Sequence, residues 1–529
     1  MTPDSRTDLP DSGPRLQAPR GLTQRAIGGM FWTFSGTGVQ GVVQLLAIMA
    51  LGRLLTPAEF GLMGAAAVVI AFSQVVSQVG VGPAMIQRRE LQPEHVRVSV
   101  TLSLTLGLLL GAIVWFGARD IAAFYRIPEL EPVLRGVSFL FPLDGLNTVA
   151  KSLLMRDLRF RLFVALEVGS YIVGFALVGV LLAWYGYGVW ALVIANLAQV
   201  TLRTIAMYVA TRHPLRPSLD LRASRDLLSF GFGHSIAQIG TVLSQQGDNL
   251  VVGRWLGPAA LGVYGRAYSL MVMPASTFGR IVNRVLFPVM SQVQGERGRL
   301  ANAYERSVAI VASVALPISA YLWVVAPEFI PVILGPAWTE VVVPFRLFTI
   351  GLLFRMSSKI SDACTKAAGK VYIRAVLQGA YAAAVVVGAI IGQRWGVAGV
   401  AIAVSLAMAF NWLSMAWLSQ VVTGLPWSGF ARAHTPAAVL AALVIGASAV
   451  GAEAARAADL GNVLVLVSAA LAAALIVWGA LRVVPDLVLG AHGGWAARQA
   501  RDLLRHGAPG GSRAVPPEHF AAAGKANAK

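Results

Sequence analysis

The sequence contains RLLTPAEFGLMG at residues 53–64 and repeats it 201 residues later as RWLGPAALGVYG at residues 254–265. Six of the twelve aligned positions are identical, and they include the Arg, the Pro and both Gly. Each copy lies between two long apolar segments, so each is interpreted as the turn of a transmembrane helical hairpin. A duplicated membrane unit of this kind is typical of secondary transporters, whose substrate site lies between the repeats.

The composition agrees with a membrane protein. Of the 529 residues, 56% are hydrophobic and 13% are charged. The net charge of +18 does not indicate nucleic-acid binding, because Lys and Arg recur as short clusters in alternate loops, as in cytoplasmic loops of membrane proteins. This bias places both termini in the cytoplasm. Residues 1–24 are polar and predict no cleavable signal peptide, so the first helix is expected to direct insertion.

About 20 apolar residues span the hydrocarbon layer, and by that rule the sequence predicts an all-α polytopic membrane protein of about fourteen transmembrane helices. Six crossings separate the two copies, so both enter from the same side of the membrane. The expected architecture is two pseudo-symmetric six-helix bundles plus two C-terminal helices. The predicted divisions are 1–25 (cytoplasmic N-terminal tail), 26–210 (first bundle), 211–226 (cytoplasmic linker), 227–422 (second bundle), 423–484 (helices 13 and 14) and 485–529 (basic cytoplasmic tail).

Enzyme motifs are absent from the sequence. It contains no Walker loop, no H-E-x-x-H, no G-x-S-x-G and no Cys/His cluster, and Cys364 is its single cysteine. We therefore expect a protein that is not an enzyme and that holds no metal or cofactor. The energy for transport would then come from outside the chain, for example from a proton or sodium gradient.

Charged groups at membrane depth are the strongest site candidates, because each is costly unless it faces a cavity or a partner. Asp248 aligns with Ala47 of the first copy, and Arg266 aligns with Ala65. The two charges either contact a ligand or a coupling ion, or neutralise each other as a structural pair. Gln44 and Gln245 occupy one repeat position and are expected to flank the space between the bundles.

Further candidates lie on other helices. Arg280 and Arg284 are spaced i, i+4 and either form a fork for a diphosphate or anchor a helix end at the cytoplasmic surface. Asp144 is a candidate for ion coupling or charge pairing, with a hydrogen bond to a neighbouring helix as the alternative. Glu167 and Arg203 are interpreted as interfacial. Arg346 and Arg355 are expected to line the same cavity as Arg266.

Several segments together resemble the bacterial polysaccharide-transporter flippases. They are GDNLVVGRWLGP (247–258), RAYSL (266–270) and LFPVMS (286–291), and, for the colanic-acid-exporter (Wzx-like) branch, LLMRDLRF (153–160), GYGVWAL (186–192) and LGPAW (334–338). The resemblance covers residues from about 21 to 425. It implies a MATE-like fold of the multidrug/oligosaccharidyl-lipid/polysaccharide (MOP) superfamily in the bacterial inner membrane.

The activity that this resemblance implies is the flipping of undecaprenyl-diphosphate-linked repeat units, by alternating access through a cationic cavity, for exopolysaccharide, O-antigen or capsule synthesis. A polysaccharide polymerase and co-polymerase are the implied protein partners. Arg266, with Arg280 or Arg284, would hold the diphosphate, and Asp248 would couple an ion or position Arg266. The alternatives are a drug or organic-cation exporter of the same superfamily, a lipid II flippase, and a membrane-embedded polysaccharide polymerase or ligase.

Overall fold

Helices form all the regular secondary structure of the chain in the ranges that the structure describes. The computed structural model describes residues 38–77, 81–88, 91–214, 216–218, 220–282, 286–485, 487–488 and 490, and no strand occurs among them. The helices are α1 Gly38–Leu54, α2 Pro57–Ser77, α3 Val81–Gln87, α4 Pro93–Tyr125, α5 Leu130–Ser138, α6 Leu140–Arg156, α7 Phe160–Ser170, α8 Val178–Trp184, α9 Val189–Thr211, α10 Leu221–Ile281, α11 Phe287–Gln292, α12 Arg297–Val324, α13 Ala326–Leu334, α14 Val342–Ala367, α15 Val371–Gly392, α16 Gly396–Thr423, α17 Trp427–Ala457 and α18 Asn462–Val483. A π-helix, Tyr171–Leu177, joins α7 to α8, and 3₁₀ turns occupy Pro336–Val341 and Gln393–Trp395.

Proline and glycine set several of these boundaries. Pro57 and Pro93 each begin a helix, where the missing N–H would have no intrahelical acceptor. Gly257 has φ 87° and, followed by Pro258, breaks α10 into a first arm (residues 221–256) and a second arm (residues 258–281). Gly335, with φ 102°, ends α13 before the 3₁₀ turn.

The multi-pass, all-α fold expected from the sequence is confirmed. In the described ranges, nine helical segments are long and apolar enough to cross a membrane. One of the nine, Val371–Thr423, contains two helices, α15 and α16. The expected number of about fourteen membrane crossings stays a prediction.

Backbone contacts divide the described residues into two units. The first contains the residues up to Thr277, Pro327–Phe348 and Ala375–Asn411, and the second contains the remaining segments, Phe278–Ala326, Thr349–Arg374 and the residues from Trp412 onward. These limits differ from the bundle limits expected from the repeat. The division into two six-helix bundles is a statement about sequence pseudo-symmetry, and it stays a prediction.

In the first unit, α6 packs between α4 and α9. Glycines allow the close approach of α4 and α6: a Cβ on Gly107 would lie 2.6 Å from the carbonyl oxygen of Phe141, and one on Gly145 would overlap the carbonyl oxygen of Ser103. In the second unit, α17 packs against both α12 and α18. There the Ser468 hydroxyl donates to the carbonyl oxygen of Gly451 at 2.9 Å. Small residues thus bring helices together in both units.

Candidate functional site: a polar cavity beside the crossing of the repeated hairpins

The two copies of the repeated sequence meet each other in the first unit. Each copy is a helix–turn–helix: α1 turns into α2 at Pro57, and the first arm of α10 turns into the second at Pro258. A Cβ on Gly61 would overlap the carbonyl oxygen of Pro258, and a Cβ on Gly262 would overlap that of Pro57. The contact is therefore reciprocal, as expected for a local two-fold axis relating the copies.

Trp338 packs against the first copy of the repeated sequence. The Trp338 ring is fully buried and its Nε1–H donates to the carbonyl oxygen of Gly52 at 2.7 Å. The ring also meets that of Phe60 edge-on, with centroids 5.3 Å apart. Arg53 adds a bond from Nη2 to the carbonyl oxygen of Val332 at 2.7 Å. These contacts hold Phe60 beneath the hairpin turn.

The ring of Phe60 packs against the guanidinium group of Arg266. The guanidinium carbon of Arg266 lies 4.5 Å from the centroid of the Phe60 ring, which is a cation–π geometry. Arg266 is half-buried. Within the part of the chain that the structure describes, no carboxylate lies within ion-pair distance of it. The guanidinium group of Arg266 therefore packs on the Phe60 ring, and Arg266 lines a cavity.

That cavity has a volume of about 420 Å³ and is enclosed by α1, α2, α9, the π-helix and the second arm of α10. Four amide side chains and one arginine supply most of its polar groups, and three aromatic rings form part of its wall. The lining residues are Gln44, Ile48, Leu51, Phe60, Met63, Gly64, Ala67, Ile70, Ala71, Gln74, Tyr171, Phe175, Leu192, Asn196, Gln199 and Arg266. This mixture of apolar walls and a few polar groups is typical of small-ligand sites.

The structure brings only part of the predicted substrate-binding set together. Gln44 and Arg266 both line the cavity. Gln245, the repeat counterpart of Gln44, is exposed on the first arm of α10 and does not line it. Arg346 and Arg355 are both half-buried on α14, Arg346 in the first unit and Arg355 in the second, and neither lines this cavity.

The predicted fork of Arg280 and Arg284 lies outside what the structure describes. Arg284 belongs to a segment that is not described, and the side chain of Arg280 is not described either. Their role toward a diphosphate therefore stays a prediction.

Asp248 does not pair with Arg266. Its carboxylate accepts a hydrogen bond from the hydroxyl of Tyr264 at 2.6 Å and another from the backbone N–H of Asn249 at 2.9 Å. The carboxylate and Tyr264 are both buried, and the Tyr264 ring packs edge-on against Phe348. Of the two alternatives for Asp248 and Arg266, mutual neutralisation is therefore not observed. A role of Asp248 in ion coupling stays a prediction.

Asp144 belongs to a three-membered charge network in the first unit. Arg203 donates from Nη2 to Asp144 at 2.7 Å and from Nη1 to Glu167 at 3.2 Å. Gln74, which lines the cavity, also hydrogen-bonds the Asp144 carboxylate. Glu167 and Arg203 therefore form one network with Asp144 on α6, α7 and α9, and their position at the membrane interface stays a prediction.

Several cavity residues carry no signal in the amino-acid sequence. Tyr171 and Phe175 are ordinary aromatic residues in an apolar segment, and their i, i+4 spacing places them on one helix face without distinguishing a binding wall from helix packing. Asn196 and Gln199 are spaced i, i+3 on α9, a pattern that could have predicted a polar stripe. Neither position differs in charge between the repeats, which was the criterion that selected Asp248 and Arg266. Among the described residues, no group of three His, Cys, Asp or Glu side chains could hold a metal ion.

Comparisons with known proteins agree with this architecture. Residues 50–344 match a family model described as "Polysaccharide biosynthesis protein". The chain is 28% identical over 404 residues to the succinoglycan biosynthesis transport protein ExoT of Rhizobium meliloti (strain 1021), which covers 76% of this chain and 79% of that protein. It is 24% identical over 344 residues to the lipopolysaccharide biosynthesis protein WzxC of Escherichia coli (strain K12), covering 64% and 70%.

Two solved structures share the fold. The lipid II flippase MurJ in an inward closed conformation aligns with a TM-score of 0.69 at 14% identity, over 85% of this chain and 99% of that one. A multidrug resistance MATE family transporter in an inward-facing conformation aligns with a TM-score of 0.58 at 18% identity, over 73% and 95%. The expectation of a transport protein rather than an enzyme is confirmed by these relatives. The chain belongs to the polysaccharide biosynthesis protein family, and its resemblance to the Wzx-like flippases of the MOP superfamily is confirmed.

Proposed function

We propose that this protein flips undecaprenyl-diphosphate-linked oligosaccharide repeat units from the cytoplasmic to the periplasmic leaflet of the bacterial inner membrane, by alternating access. The units would serve the synthesis of an exopolysaccharide, O-antigen or capsule, and a polymerase and co-polymerase would use them afterwards. The observation that carries the proposal is Arg266, a half-buried cation held on Phe60 at the wall of an amide-lined cavity.

The chemistry of the substrate matches this cation. A diphosphate cannot cross hydrocarbon unaided, because an unpaired charge in an apolar medium is very costly. A guanidinium donates to phosphate oxygens in a bidentate geometry, and its charge lowers that barrier. The polyprenyl tail needs no protein enclosure, since it is soluble in the bilayer. Relatives named for succinoglycan transport and lipopolysaccharide biosynthesis support a saccharide cargo.

The cavity also disfavours the competing exporter. An organic cation entering it would meet Arg266, whose positive charge has no carboxylate at ion-pair distance among the described residues. Like charges repel strongly in a medium of low dielectric. The MATE likeness is a likeness of fold and does not by itself support a drug substrate.

Ion coupling would need carboxylates. The described residues supply them in Asp144 and Glu167, which share Arg203, and in the buried Asp248. Proton or sodium coupling through one of them is part of the proposal. The distribution of Lys and Arg predicts that both termini lie in the cytoplasm.

Complementation tests the proposal. A strain that lacks its own exopolysaccharide flippase is given the wild-type gene, Arg266→Ala, Arg266→Lys or Arg394→Ala, and polymer is measured at equal membrane levels of protein. Arg394 is the matched control, because it is exposed in the first unit and lies outside the cavity. A hydrogen bond to a charged group contributes about 1.5–3 kcal/mol, so Arg266→Ala should lower polymer synthesis about 10- to 150-fold, with Arg266→Lys between it and the wild type. Equal polymer from Arg266→Ala and Arg394→Ala would contradict the proposed site.

A further inference from the structure

We propose that the cavity beside Arg266 contains a subsite for one pyranose ring, the sugar bonded directly to the diphosphate. This inference rests on the proposed function and assigns residues that the charge argument does not involve. The aromatic wall would be Tyr171 and Phe175, and the hydroxyl-binding groups would be the amides of Gln74, Asn196 and Gln199.

The aromatic wall comes from an unusual backbone. Tyr171–Leu177 is a π-helix, which is rare and frequently marks functional sites. Within it, Tyr171 and Phe175 both line the cavity, and their rings stack with centroids 5.2 Å apart and planes 19° from parallel. Aromatic surfaces of this kind bind the C–H faces of pyranose rings. A Cβ on Gly174 would overlap the backbone of Gln199, so this glycine lets the π-helix lie directly on α9.

The amides have the chemistry that sugar hydroxyls require. A hydroxyl both donates and accepts hydrogen bonds, and an amide side chain offers two donors and a carbonyl acceptor. A diphosphate accepts only, so it would be recognised by cations and N–H groups alone. Three amides around one arginine therefore fit a neutral polyhydroxyl ring next to one anionic group. Among the described residues, Gln199 makes no side-chain hydrogen bond within the protein, and it lines the cavity.

Gln74 is oriented by its neighbour. It hydrogen-bonds the Asp144 carboxylate, which is itself held by Arg203 at 2.7 Å. Because an ionised carboxylate only accepts, the Gln74 amide nitrogen must be the donor. The Gln74 side chain thus contacts the Asp144 carboxylate and also lines the cavity. The charge network on α6, α7 and α9 therefore holds one of the amides of the cavity wall in place.

The position of the subsite follows from the place of its wall in the cavity. Tyr171 and Arg266 line the same cavity and interact electrostatically. A ring on the aromatic wall would therefore sit beside the group that holds the phosphate. Only the sugar bonded directly to the diphosphate can lie on the aromatic wall while the diphosphate lies at Arg266.

Binding of two lipids to the full-length protein in nanodiscs separates the possibilities. One lipid is a polyprenyl diphosphate without sugar, and the other is the same lipid with a single hexose. The variants are Gln199→Met, which keeps the side-chain length and removes the amide, and Phe175→Leu, which removes the aromatic face. Gln393→Met is the matched control, because Gln393 lies in a 3₁₀ turn away from the cavity. Melting temperatures establish that each variant is folded.

Gln199→Met and Phe175→Leu should each weaken binding of the hexosyl lipid about tenfold and change binding of the bare diphosphate less than about twofold. Gln393→Met should change neither. Arg266→Ala should weaken both lipids alike. A wild-type protein that binds the two lipids with equal affinity, or a Gln199→Met variant that loses both alike, would overturn the subsite and leave the proposed function standing. A wild-type protein that binds neither lipid would overturn both.

Discussion

Replacing Gly61 or Gly262 with alanine should force the two repeated hairpins apart. At either position the new methyl group would overlap a backbone carbonyl oxygen, that of Pro258 or that of Pro57. Backbone cannot turn aside as a flexible side chain can, so the crossing itself must widen. Overpacking of this kind costs about 1–3 kcal/mol, which is about a 5- to 150-fold shift away from the conformation with a closed crossing. The two substitutions act on one contact, so their effects should not add.

Thiol labelling measures this shift. The single cysteine is buried, and a Cys364→Ser background leaves a cysteine introduced at Ala67, on the cavity wall, as the reporter. The distribution of Lys and Arg predicts that the crossing faces the periplasm, so a membrane-impermeant maleimide is added to intact cells. Gly61→Ala should raise the labelling rate by a factor within the calculated range.

Gly265→Ala is the matched control for this experiment. It lies on the same arm of α10 as Gly262, and a Cβ there would meet nothing within 4 Å. The control should label at the parental rate. Equal rates for Gly61→Ala and Gly265→Ala, with both proteins present at normal levels, would refute the reasoning that a methyl group at this crossing forces the hairpins apart.

Three further predictions concern stability. Trp338→Phe removes the buried donor to the Gly52 carbonyl oxygen, and the melting temperature in detergent should fall by the equivalent of about 1–2 kcal/mol. Arg203→Ala leaves two carboxylates, one of them Asp144, without their shared cation; a loss of about 3–5 kcal/mol is expected, seen as a lower membrane level that Arg203→Lys partly restores. Burial lowers the pKa of His213 below its usual 6.5, so the unfolded chain binds the proton more readily. The free energy of unfolding should therefore be constant above about pH 6.5 and fall below it. His213→Gln should reduce the change in melting temperature between about pH 7.5 and about pH 5.5.

The parts of the fold that were predictable are those that depend on local composition. Apolar segments of membrane-spanning length predicted the helices, because hydrocarbon requires every backbone group to bond within its own segment. The repeat at residues 53–64 and 254–265 located two hairpin turns, since Pro and Gly carry the same backbone requirement in both copies. The turn predicted at the second copy is observed, because the non-helical backbone of Gly257 separates the two arms of α10.

The site was predictable only where a charge was out of place. Arg266 was recognisable because the first repeat has alanine there, and the structure places it on the cavity wall. Two aromatic partners were not recognisable, because aromatic residues are ordinary in membrane helices. They are Phe60, which contacts Arg266, and Tyr264, which donates a hydrogen bond to Asp248. Arg203 has its two carboxylate partners 59 and 36 residues away, and no helical periodicity connects residues at such separations.

The central claim is that Arg266 provides the positive charge that draws a diphosphate headgroup through the protein. Its most direct test is the flipping rate of a polyprenyl-diphosphate-linked oligosaccharide in proteoliposomes that contain wild-type protein, Arg266→Ala, Arg266→Lys or Arg394→Ala at equal density. The account predicts that Arg394→Ala flips at the wild-type rate, that Arg266→Ala is slower by about 10- to 150-fold, and that Arg266→Lys lies between them. Flipping by Arg266→Ala at the wild-type rate would contradict it.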